Sequence, residues 1–327
     1  MALHAVENVE EAFGVTREFL TPITVRRWLK LALVVFFVGS GVSFPTAQFN
    51  TSTPPGDVST GDLPFSLPVD VVTLVVALVA AGLLLGGLFA LIGAIMEFVL
   101  IESLRTGEVS LRRYWRQRWR QGLRLFGFRI AIGLPMIVLF VGWLALLVVP
   151  ILTGRDPTIP ATAFLVGIPV VLLIGVLYAL VSGLTTVFVV PLMIQADSGV
   201  LAAWRRLWGS IKIAWKQYLA YVVIAFLLTV ATGIIASIVV GIVAVVLLIP
   251  ILIIAAIAHV TVSLSSTVGF VVLVALALLF GLAMLVVGTL AQVPVVTYLR
   301  YYALLVLGDI EGSFDVLSEH QPSRGEV

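Results

Sequence analysis

Between Val71 and Met96 the chain runs for 26 residues without one ionisable side chain or proline, VVTLVVALVAAGLLLGGLFALIGAIM. As an α-helix this stretch is roughly 39 Å long, more than the ~30 Å hydrocarbon core of a bilayer. A helix on a soluble domain needs a polar face, and this one has none. In lipid a helix satisfies its backbone hydrogen bonds internally, so the stretch predicts a transmembrane helix.

The remainder agrees with it. Of 327 residues, 61% are hydrophobic and 11% charged, with a mean hydropathy of +1.18. A soluble domain carries about a quarter charged residues, so that class is excluded. Further spans are expected at 31–44, 130–152, 161–195, 219–260 (interrupted at Pro250) and 269–297. The expectation is an all-α polytopic membrane protein with a six-span domain over residues 25–307 and no separate soluble domain. An amphipathic segment at 1–24 precedes it, with Val6, Val9, Phe13, Thr16 and Leu20 at helical spacing. An acidic tail, 308–327, follows it.

Charge sets the expected threading. Eighteen of the 19 lysines and arginines fall in segments on one side of the spans, and only Arg155 falls on the other. The positive-inside rule then puts both termini in the cytoplasm of a cell-membrane protein. Arg26-Arg27 before the first span reads as an interfacial anchor rather than an export signal. The loop at 45–69, rich in Pro, Thr, Ser and Gly, becomes extracellular, and Asn50 in Asn50-Thr51-Ser52 becomes a possible glycosylation site.

Two basic stretches stand out, 110–126 and 198–217. In the first, Leu111, Trp115, Trp119, Gly122 and Phe126 share one helical face, and Arg112, Arg113, Arg116, Arg120 and Arg124 lie opposite. In the second, Leu201, Trp204, Trp208, Ile211 and Trp215 share a face, with Arg205, Arg206, Lys212 and Lys216 off it. Tryptophans on one side and bases on the other suit a headgroup layer, so two interfacial helices on the cytoplasmic face are expected. Trp115-Arg116 and Trp119 recur as Trp204-Arg205 and Trp208, 89 residues later, each pair lying between two spans. This predicts a parallel internal repeat. Arg112, Arg113, Trp115, Arg116, Trp119, Arg120, Trp204, Arg205, Arg206, Trp208, Lys212 and Trp215 are the candidate binding residues. Their partners are the anionic headgroups of membrane lipids, with a membrane protein or a second copy of the chain left open. Nucleic acid does not fit, because the tryptophans are needed at the interface.

The first residues, AVENVEEAFGVTREFLTPITVRRWLKLALVVFFVG, resemble those of uncharacterised haloarchaeal multi-pass membrane proteins. The element VVPLMIQADSGVLAAWRRLWGSIKIAW is similar to one in six-span families related to the membrane domain of glycerophosphodiester phosphodiesterases. The likeness implies architecture alone. In those enzymes the chemistry belongs to a separate soluble domain.

A search for chemistry returns little. His4, His259 and His320 are scattered, cysteine is absent, and no metal-binding, phosphate-binding or nucleophile motif occurs. No catalytic residue, metal or cofactor is therefore expected. Glu97 is a possible intramembrane acid, and such a residue is functional by default. Its position one to two turns past the apolar core of its span equally predicts a salt bridge to Arg129 or Arg124. Small-residue stripes at Gly82-Gly86-Ala90, Gly175-Ala179-Gly183 and Gly233-Ser237-Gly241 predict close helix packing. Two functional classes follow. One is a non-enzymatic scaffold or accessory protein engaging lipids or a partner; the alternative is a small-solute transporter or exporter.

Overall fold

The computed structural model describes residues 4–21, 23–39, 71–152, 158–262 and 267–315. Asn50 with the loop 45–69, Arg155, and the tail from residue 316 lie outside the described residues. Within them the regular structure is helical throughout. Its order is α1 (His4–Leu20), α2 (Val25–Gly39), α3 (Val71–Thr106), α4 (Leu111–Leu152), α5 (Thr158–Leu184), a π-helical turn (Thr185–Val189), α6 (Val190–Ala196), α7 (Val200–Val262) and α8 (Thr267–Ile310), closed by a 3-10 turn at Gly312–Phe314.

Five runs are long and apolar enough to cross a membrane: Val76–Thr106, Leu111–Pro150, Ala161–Ala196, Val200–Ala258 and Val271–Ile310. The chain is thus an all-α, multi-pass membrane protein. For the first expected span, 31–44, the described part is α2, whose 15 residues reach about 22 Å.

The packed core occupies one end of the bundle. Every residue of α3 from Gly93 to Leu104 and of α8 from Arg300 to Leu307 is buried, as is the stretch from Phe188 to Ile194. A helix buried all round needs no polar face, which is why these runs show no amphipathic pattern. At the other end the apolar side chains of α3, α4, α5, α7 and α8 lie mostly on the surface. Lipid is as apolar as leucine, so nothing there drives the helices to bury them.

Close helix approach follows other glycines than the stripes suggested. A Cβ on Gly82, Gly86, Gly183, Gly233 or Gly241 would meet nothing within 4 Å. On Gly93 it would lie 2.8 Å from the Phe37 carbonyl oxygen, and on Gly122 2.6 Å from Ile95 Cγ1. On Gly167 it would overlap the indole of Trp143, whose Nε1 donates to the Ala163 carbonyl at 2.9 Å. Of the glycines in the four-residue stripes only Gly175 has a neighbour, the Met136 methyl at an ordinary 3.6 Å, so the stripes do not mark the close approaches.

The amino-terminal helix docks into the core by a different face from the one expected. Asn8, Ala12, Thr16 and Phe19 are buried, and Phe13 is 63% exposed. Asn8 Nδ2 donates to Asp309 Oδ2 at 2.6 Å, Tyr298 donates to the Val9 carbonyl at 3.3 Å, and Phe19 meets Tyr301 edge-on. Phe19 is buried in place of Phe13, so the helix keeps one buried aromatic and gains the bonds to α8, and its face is turned by about one position.

The basic stretches also differ from the two separate surface helices expected. Residues 111–126 are the opening turns of α4, which continues unbroken into its span because no proline occurs before Pro135. Residues 200–213 open α7, and there the helix kinks at Ala214 (φ −115°, ψ 33°). Each stretch follows a corner with a left-handed residue: Gly107 (φ 69°) after α3 and Asp197 (φ 44°) after α6. Glycine takes that conformation freely, and aspartate is among the few other residues that tolerate it.

Candidate functional site

Two charged layers cross this end of the bundle, the first inside it and the second reaching the surface at Asp197, whose side chain is 88% exposed. In the first, Glu97 on α3 is 2% exposed and accepts from two guanidinium groups. Arg300 Nη2 on α8 reaches Oε2 at 2.5 Å, and Arg129 Nη2 on α4 reaches Oε1 at 3.2 Å. Arg129 also donates to the Thr186 hydroxyl at 2.8 Å, and Arg300 Nη1 to the Thr186 carbonyl at 2.8 Å. One carboxylate thus faces two arginines, and Thr186 accepts one further bond from each, through its hydroxyl and its carbonyl.

The π-helical turn makes the Thr186 carbonyl available. There Val190 N–H bonds back five residues to the Thr185 carbonyl. The next donor in that register belongs to residue 191, a proline with no N–H, so the Thr186 carbonyl has no claimant within its own helix. Arg300 takes it. Beside it, Thr185 donates to the Val181 carbonyl at 2.6 Å and accepts from Trp204 Nε1 at 3.0 Å. π-turns of this kind occur often at functional sites.

The second layer lies nearer the corners. Arg118 Nη2 is 3.6 Å from Glu102 Oε1, and Arg118 Nη1 is 3.8 Å from Asp197 Oδ1. Gln121 Nε2 donates to Asp197 Oδ1 at 2.8 Å and to the Met193 carbonyl at 3.1 Å. These bonds fasten the opening turns of α4 to the α6–α7 corner.

That attachment decides which way the basic stretches face. On α4 the buried side is Tyr114, Arg118, Gln121, Gly122 and Leu125. Trp115 packs at its edge, while Arg112, Arg113, Arg116, Trp119, Arg120 and Leu123 are exposed. On α7 the buried side is Val200, Ala203, Leu207 and Ser210, and Trp204 is held inward by Thr185. Leu201 (74% exposed), Arg205, Arg206, Trp208, Lys212, Ile213 (88%) and Trp215 face outward. Trp115 and Trp204 are turned toward the core, whereas Trp119, Trp208 and Trp215 stay on the surface among the bases. Arg112, Arg116, Trp119 and Leu123 make one exposed ridge, and Leu201, Arg205, Trp208, Lys212 and Trp215 another. Within them Arg120 stands over the Trp119 ring at 5.7 Å, and Lys216 over Trp215 at 5.8 Å. The close approach at Gly122 is the physical cause on α4: it places the contact with α3 on the glycine's side.

Of the residues singled out in the sequence, Glu97 sits in the first charged layer and Arg129 is its partner, while Arg124 is exposed. Arg300, Arg118, Gln121, Asp197 and Thr186 complete the layers without having been singled out as a cluster. Among the described residues no group of three potential metal ligands converges.

A protein family described as a family of unknown function, DUF7544, matches residues 3–317. The chain belongs to DUF7544. The match runs from the start of α1 past the 3-10 turn, so both charged layers and both ridges of this DUF7544 chain fall inside it. No curated protein and no solved structure matches the chain.

Proposed function

We propose that this DUF7544 chain is a non-enzymatic membrane scaffold or accessory protein that engages anionic lipid headgroups, and through them or beside them a membrane partner. The observation that carries this reading is the pair of exposed ridges on a rigid, charge-pinned base. A ridge that interleaves arginine or lysine with tryptophan and leucine matches a headgroup layer, where bases meet phosphates and rings sit among glycerol and carbonyl groups. Arg112, Arg113, Arg116 and Gln117 line one open hollow on the α4 ridge. Each base near an anionic surface contributes ~1 kcal/mol.

The same reading places the basic end in the cytoplasm of a cell-membrane protein and counts α2 with residues 40–44 as a sixth span. It treats the two corners at Gly107 and Asp197, each followed by a basic opening and a span, as a parallel repeat. The likeness of residues 189–215 to membrane domains of phosphodiesterases supports that architecture. The transporter alternative leans on Glu97, and both of its oxygens are occupied by arginines, which favours a structural role.

The test is native mass spectrometry of the protein extracted mildly from its own membrane. Replacing Arg112, Arg113, Arg116, Arg205 and Arg206 by glutamine is expected to strip co-extracted anionic lipid or a stoichiometric partner. Unchanged retention in that variant would sink the reading.

A further inference from the structure

We propose that the cleft between the start of α2 and the α3–α4 corner binds the phosphate group of an anionic glycerophospholipid. It deepens the lipid-engaging reading at residues separate from both ridges. The cleft has a volume of about 470 Å³, with Thr24, Arg26, Arg27 and Lys30 on one wall and the Gly107–Ser110 segment on the other.

The chemistry of the walls points to an anion. Arg27 Nη2 donates to the Gly107 carbonyl at 3.2 Å, and Lys30 Nζ to the Val109 carbonyl at 3.1 Å. Among the described residues none of the three bases pairs with a carboxylate. Two positive side chains are thus fixed in place by neutral acceptors and keep donors to spare, while Arg26 is exposed. Arg27 is further seated over the Phe19 ring, 4.6 Å from its centroid, with its Nε closed off from solvent, so its terminal nitrogens are the ones that can face the cleft. Glu108 is the single acid on the wall, so the cleft retains a positive excess. The lining ends at Ser110, the residue before α4, whose leading N–H groups have no partner within the helix and favour negative charge nearby. Multiple charged donors around one small space suit phosphate better than a singly held carboxylate.

The surroundings select a lipid over free phosphate. Ile23 and Val25 flank Thr24 and are 78% and 77% exposed, and Leu29 one turn on is also exposed. A phosphate held between Arg26 and Lys30 would lay its glycerol and acyl chains along this apolar strip. A soluble phosphate would leave the strip bare.

The experiment reconstitutes the full chain in nanodiscs of phosphatidylglycerol and phosphatidylcholine and counts lipids that survive into native mass spectrometry. One phosphatidylglycerol is expected to remain on the unaltered protein. Arg26→Gln, at an exposed side chain without contacts, is expected to weaken its retention ~5-fold, and Arg26→Gln with Lys30→Gln roughly 30-fold. Lys30→Arg is expected to keep it, which separates charge from folding. Arg124→Gln, at an exposed base outside the cleft and both ridges, is expected to leave this lipid in place, and a loss there equal to that of the Arg26 variant overturns the cleft while leaving the ridges untouched. Equal retention of phosphatidylcholine, or full retention in the Arg26 and Lys30 double variant, overturns the proposal. So does displacement of the lipid by millimolar inorganic phosphate, which would assign the cleft to a soluble ligand.

Discussion

Glu97 on α3 and Arg300 on α8 are 203 positions apart in the chain and 2.5 Å apart in the fold. Their contact, with Arg129 on the other oxygen, joins three helices at one carboxylate. Such a cluster costs desolvation energy to bury, so its removal in pieces is more damaging than its presence is stabilising.

Glu97→Gln leaves two guanidinium groups facing each other without a countercharge. We expect a loss of about 3–5 kcal/mol, seen as a lower Tm in detergent. Arg129→Met, at the more exposed of the two arginines, is expected to cost less because Arg300 still neutralises the carboxylate. A Glu97→Gln protein as stable as its parent would show that the layer is not holding the helices.

Gly122→Ala puts a methyl group 2.6 Å from Ile95 Cγ1 and 2.9 Å from Ile95 Cα. Truncating Ile95 cannot relieve the second clash, so α4 must move away from α3. The expected cost is about 1–3 kcal/mol. Gly82→Ala, with open space around it, is expected to be neutral in the same thermal assay.

Gly107→Ala forces a left-handed conformation on a residue with a Cβ, costing about 1–2 kcal/mol. At the matching corner, Asp197→Asn keeps an oxygen for Gln121, whereas Asp197→Ala removes it. Denaturation midpoints should rank the asparagine variant above the alanine variant.

Asn8→Ala removes the bond to Asp309, which is exposed and takes water in its place, so the cost is about 0.5–1.5 kcal/mol. Because α1 is the element nearest the chain terminus, the effect should be local. Limited proteolysis would detect it as faster cleavage before Thr21 while the remaining helices stay protected.

The spans were legible because lipid imposes a one-dimensional rule: a long apolar run must be a helix. The Glu97–Arg129 pair was legible for a related reason, since both residues lie at the same end of adjacent spans. Arg300 was not, because sequence spacing says nothing about which distant helix end fills a gap. Nor was the Thr186 carbonyl, which becomes an acceptor only when Pro191 meets a π-helical register. The inward turn of Trp115 and Trp204 was not legible for a similar reason. Spacing put them on one face with Trp119, Trp208 and Trp215, but Gly122 and the Thr185 hydroxyl, each acting across a helix pair, set the rotation.

The unbroken course of α4 has a mechanical meaning. From Leu111 to Arg129 its basic arm is about 28 Å long and is continuous with the span below. A pull on Arg112 or Arg116 toward a charged surface therefore acts as a torque on the span, and a change in span tilt swings the arm. The arm of α7 is set off from its span by the bend at Ala214. Of the two arms, one is a lever and the other is jointed.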